Sequence, residues 1–147
     1  MLLFISSFLL IWVFSLSQLN QLFAIQGIQP NISLAILVVY AFMEKDWLRR
    51  SALVLLTIFL LNFSPTLGLE AIFTMIVLFI VLTLVDYFKW QPTLSAVIIV
   101  LIATILLNAF SIRPGVILIE SIYNVFLVGL FGLLLSFINS KRSSLNA

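Results

Sequence analysis

The chain has 147 residues, 64% of them hydrophobic and 8% charged, with a net charge of +2 and a mean hydropathy of +1.33. Soluble domains carry about 25% charged residues, so this chain has too little polar surface to stand in water and reads as an integral membrane protein of one domain. Cysteine and histidine are both absent, which removes disulfides, thiol nucleophiles, imidazole bases and the usual zinc and haem ligands.

At about 20 residues per crossing, the length holds at most five or six helices. The first is expected from Met1 to about Ile25, an apolar run that ends in the uncharged patch Ser17, Gln18, Asn20 and Gln21. It does not read as a signal peptide, because no basic segment precedes the apolar run and no small-residue cleavage site follows it. Gly27 lies in a short loop, and Pro30-Asn31 opens a second helix running to Met43, since proline is well tolerated in a first turn. The segment Glu44-Lys45-Asp46-Trp47-Leu48-Arg49-Arg50 is the one charge-dense stretch, with Trp47 suited to a membrane interface. A third helix is expected from about Leu48 to Asn62, stopped by Ser64-Pro65, and a fourth from about Leu67 to Phe88. A fifth covers about Thr93 to Phe110 and a sixth about Gly115 to Asn139, leaving Ser140 to Ala147 as a loose polar tail.

The expected fold is therefore all-α: a polytopic bundle of about six transmembrane helices in residues 1–139, followed by a short cytoplasmic tail, 140–147. Short connections make consecutive helices neighbours. Orientation follows from the basic residues. Six crossings put Lys45, Arg49, Arg50, Lys89, Lys141 and Arg142 on one side and Arg113 alone on the other. Positive charge marks the cytoplasmic side, so both termini are expected inside.

The sixth segment holds the unusual residues. Glu120, Tyr123 and Asn124 lie within an apolar run and share one helix face. Gly129, Gly132 and Ser136 fall on another, a small-residue strip that reads as close helix packing, although spacing cannot separate packing within the chain from packing between chains. A helix with two such faces is expected in the middle of the bundle. Glu70, Arg113 and Glu120 are the only charges on the outer side. Either Arg113 neutralises one of the acids near the headgroups, or the three line a polar cavity or docking site for a partner. Asn62, Asn108 and Asn124 read as interhelical hydrogen-bonding amides. Glu44 and Asp46 are expected to pair with Lys45, Arg49 or Arg50, and Asp86 with Lys89. No phosphate-cradling glycine loop, nucleophile elbow or metalloprotease motif is present. Nothing calls for a catalytic residue, cofactor, metal or nucleic-acid partner.

Three stretches carry a family resemblance: Gly27-Ile28-Gln29-Pro30-Asn31 with Leu34 to Tyr40, Leu60 to Ala71 around Ser64-Pro65, and Ile122-Tyr123-Asn124-Val125-Phe126-Leu127. In order and spacing they resemble the MreD-type rod shape-determining proteins, small inner-membrane proteins of the bacterial cell-elongation machinery. The resemblance covers about Gly27 to Ile138. It implies a non-enzymatic scaffold in peptidoglycan synthesis that sits in the lipid bilayer and binds an MreC-type bitopic protein and other elongation-machinery proteins. Asn62, Glu70, Arg113, Glu120, Tyr123 and Asn124 become its candidate partner-binding or cavity residues. Asn62 stands where the family usually has aspartate, so a partner contact made by that acid is either absent from this chain or made by Glu70. The family is similar in fold to the substrate-binding subunits of energy-coupling-factor vitamin transporters, which gives the alternative of a small-solute binding subunit.

Overall fold

The computed structural model describes residues 1–19, 24, 28, 30–61, 69–88, 91–109 and 113–145; the side chains of residues 17–19, 61, 70 and 136–145 lie outside that description. The described chain is helical throughout, in six elements: α1 (Leu2–Leu19), α2 (Ile32–Met43), α3 (Trp47–Leu61), α4 (Leu69–Tyr87), α5 (Pro92–Leu107) and α6 (Pro114–Leu145). The helix starts follow local chemistry. Asn31 caps α2 by accepting the Leu34 N–H on Oδ1 at 3.0 Å, which satisfies a donor that a helix start leaves orphaned. Pro92 occupies the first turn of α5, where its missing N–H costs nothing. At its far end α6 departs from expectation. It continues to Leu145, so residues 140–145 extend the last helix and are not a loose tail.

The expectation of a central α6 is also corrected. α2 occupies the middle: ten consecutive residues, Ile32 to Ala41, are buried, and the helix packs against all five others. Its sequence explains this. A helix that is apolar all round has no face to give to solvent and must be covered on every side, and Ser33, Ala35 and Ala41 keep it slim enough for neighbours to approach. α6 lies at the rim. It packs on α5, α2 and α1, while Leu118, Ile122, Phe126, Leu130 and Leu133 form an exposed stripe along its outer side.

Every consecutive helix pair packs together, as the short connections predict, and α1 also meets α3 and α6. Phe14 of α1 stands edge-on to Phe131 of α6 with ring centroids 5.6 Å apart. Ser15 and Ser33, buried where α1 crosses α2, have their hydroxyl oxygens 3.3 Å apart. Thr57 and Thr104 return their hydroxyls to carbonyls one turn back, Leu53 O at 2.7 Å and Val100 O at 2.8 Å, so neither leaves a polar atom stranded in the core.

Among the described residues one segment, Pro114–Leu135, is long and apolar enough to cross a membrane. The apolar stretches Leu2–Leu16, Ile32–Met43, Ala71–Tyr87 and Pro92–Leu107 are shorter.

Candidate functional site

The polar side chains gather at two opposite ends of α2. At its start, three helices meet around Asn124. This residue is fully buried, and its amide is used in both directions. Oδ1 accepts the backbone N–H of Asn31 at 2.8 Å, and Nδ2 donates to Thr104 Oγ1 at 2.8 Å. One side chain of α6 thus joins the first turn of α2 to the last turn of α5. The network extends through Asn108, which caps the end of α5. Its Nδ2 donates to the Thr104 carbonyl at 3.0 Å and to Glu120 Oε2 at 2.8 Å. An uncharged amide in an apolar segment has nothing but protein to bond, and here every bond but the Asn108–Thr104 carbonyl contact within α5 crosses to another helix. The interhelical reading of Asn108 and Asn124 holds.

Glu120 and Tyr123 are half-buried beside Asn124, whereas Leu118, Ile122 and Phe126 between them are exposed. The face that Glu120, Tyr123 and Asn124 share is therefore the one α6 turns to the bundle. Asn124 is not available to a partner, because burial and its two bonds commit it to the interior. Glu120 differs from expectation in another way. Arg113 is exposed and makes no ion pair among the described residues, so the carboxylate is met by the Asn108 amide in place of a guanidinium. The expected Glu70 contact cannot be placed, because its side chain lies outside the described residues, as does Asn62 entirely.

The glycine strip is likewise open. A Cβ added at Gly129 or Gly132 would meet nothing within 4 Å, so among the described residues no helix packs closely there; the Ser136 side chain is outside the described set. The two glycines instead line an apolar groove of about 370 Å³ with Val39, Phe42 and Met43 of α2, Pro92 and Ala96 of α5, and Leu133.

At the other end of α2 the chemistry is ionic. Arg49 pairs with Glu44 at 3.4 Å and with Asp46 at 3.2 Å, as the sequence predicts for these acids. Arg50 is buried, donates from Nε to the Glu44 carbonyl, and meets Asp86 of α4 at 2.6 Å. Asp86 therefore closes onto Arg50 in α3. Its expected partner Lys89 lies outside the described residues. Burial pulls the Glu44 carboxyl upward, but the Asp46 N–H, the Arg49 guanidinium and the Lys45 N–H outweigh it and hold it below the ordinary carboxylate value. Three buried hydroxyls, on Ser7, Tyr40 and Ser51, have no hydrogen-bond partner among the described residues.

Sequence reasoning did not single out Thr104, the pairing of Arg50 with Asp86, or the capping role of Asn31. Thr104 carries no signal of its own. Among the described residues no group of three or more metal-ligating side chains is present. Comparison with protein-family models, with characterised proteins and with solved structures finds no match.

Proposed function

We propose that the chain is a non-enzymatic membrane scaffold of the bacterial cell-elongation machinery, set in the inner membrane with both termini cytoplasmic and binding an MreC-type partner. The observation that carries this reading is the Asn31–Asn124 bond. Two of the three stretches that resemble the MreD-type proteins, 93 positions apart, are joined by it. A shared architectural joint is a reason for both motifs to occur in one chain. The membrane placement is supported by the composition, by the exposed leucine, isoleucine and phenylalanine stripe on α6 and by the span-length segment Pro114–Leu135. α2, at 12 residues, rises about 18 Å against a hydrocarbon core of about 30 Å. As the central helix of a bundle it is covered by its neighbours, and its N-terminal amide network then satisfies polar groups that lipid could not.

The test is co-expression with an MreC-type protein and capture in mild detergent. Retention of the partner through purification is expected, with Tyr123→Ala weakening it while leaving the Asn31–Asn124–Thr104 network in place. Failure of the wild-type chain to retain that partner, together with capture of a vitamin-like solute by the chain alone, would overturn the scaffold reading. That second reading, a small-solute binding subunit, draws on one feature: the half-buried Glu120 and Tyr123 beside the amide network.

A further inference from the structure

We propose that the half-buried Glu120 carboxylate, set against Asn108 at the end of α5, receives a cationic group, an ammonium or a guanidinium. The inference rests on the membrane placement proposed above, but not on the identity of the partner. Glu120 is half-buried, and the groups set against its carboxylate are the neutral amides of Asn108 and Asn124. Neutral donors orient a carboxylate without balancing its charge, and an acid near the edge of a membrane calls for a counter-charge.

Among the described residues no cation of the chain supplies it. Arg49 and Arg50 are engaged with Glu44, Asp46 and Asp86 at the opposite end of α2, where Lys45 also follows the helix. Lys89, three positions after Asp86 in the sequence, lies outside the described residues. Lys141 and Arg142 sit 21 and 22 positions beyond Glu120 on one continuous helix, roughly 30 Å along its axis. Arg113 is close in sequence but exposed, with its carbonyl held by the Val116 and Ile117 amides and its side chain in no ion pair among the described residues.

The position suits an incoming cation. Glu120 is six residues into α6, about 9 Å from its start, and faces the α5 end through Asn108. Tyr123 lies on the same face and offers an aromatic ring within one turn, a surface that also attracts cations. Two sources share this chemistry: a lysine or arginine of a partner's outer segment, and a free amine solute.

The protein is placed in nanodiscs of phosphatidylglycerol, which has no amine headgroup, and melted with increasing butylammonium or methylguanidinium against matched sodium. A melting-temperature rise of about 3 °C is expected at saturating amine, absent in Glu120→Gln. Val116→Lys, which leaves the carboxylate intact but supplies a lysine one turn away, is expected to lose the response too and guards against a folding defect in the first variant. In the second arm, capture of the MreC-type partner is expected to weaken about tenfold in Glu120→Gln. An amine response that depends on Glu120 without partner capture by the wild type sustains the site, assigns it to a free amine and removes the scaffold reading. Glu120-dependent capture without an amine response sustains it with the partner as source. A response only after Arg113→Gln, or no dependence on Glu120 in either arm, overturns it.

Discussion

The two ends of α2 are closed by opposite means. At the Asn31 end, neutral amides and a hydroxyl join α2, α5 and α6 through bonds of 2.8 Å, and Asn124 at their centre is fully buried. At the Glu44 end, ion pairs join α3 to α4 and fold the loop onto itself, with Arg49 and Asp86 well exposed. The difference teaches where each kind of contact works. Neutral bonds need no desolvation of charge and gain strength where water is excluded, whereas exposed ion pairs are weakened by the same water and salt that make them tolerable. The amide end is therefore the firmer joint, although it carries one acid and no paired cation among the described residues.

Removing the amide joint should have the largest effect. Asn124→Leu removes the acceptor of the Asn31 N–H and the donor to Thr104 Oγ1, although Thr104 keeps its own bond to the Val100 carbonyl, and losing a partner costs a buried polar group about 1–3 kcal/mol. A destabilisation of about 2–4 kcal/mol is expected by thermal melting in detergent. A loss below that of an Arg50 variant would reverse the ranking of the two ends. Arg50→Gln gives up the Asp86 pair and part of the Glu44 carbonyl contact. Because Asp86 keeps its access to water, its cost is expected at about 1–2 kcal/mol, with Asp86→Asn no worse. A much larger penalty from Arg50→Gln than from Asp86→Asn would assign the effect to the Glu44 carbonyl and not to the ion pair.

Acid should produce the smallest effect. Glu44 has its carboxyl held below the ordinary value in the folded protein, so its contribution is complete above the unfolded pKa and lost as pH falls through the lower, folded one. The loss is expected at about 0.5 kcal/mol, as for other solvent-screened pairs. Repeating the titration in Glu44→Gln should flatten this step, and a step that survives that change would belong to another acid. Added salt should weaken the Arg49 pairs while leaving the Asn124 network unaffected, sharpening the contrast between the ends.

Much of this was legible in the chain. The six helices and their neighbours follow from apolar runs punctuated by Pro30, Pro65, Pro92 and Pro114, because proline and polar clusters end helices wherever they occur. An asparagine inside an apolar run must find protein partners, so the interhelical role of Asn108 and Asn124 could be read without coordinates. So could the pairing of Glu44 and Asp46 with a nearby arginine, since all three lie within one turn and a loop.

What only the tertiary structure decided is which helix lies inside and which partner each group meets. α6 drew attention through its acid and its glycines, yet the featureless α2 is the centre, because burial on all sides selects for uniform apolarity and small side chains and leaves no pattern to notice. Gly129 and Gly132 could have served a close helix crossing, but helix periodicity fixes only that they share a face, not that another helix covers it. Asp86 meets Arg50 because α3 and α4 pack side by side, a contact 36 positions apart that local spacing cannot contain. Composition and punctuation act within a few residues and so are written in the chain; partner choice between helices is set by packing, which belongs to the whole bundle.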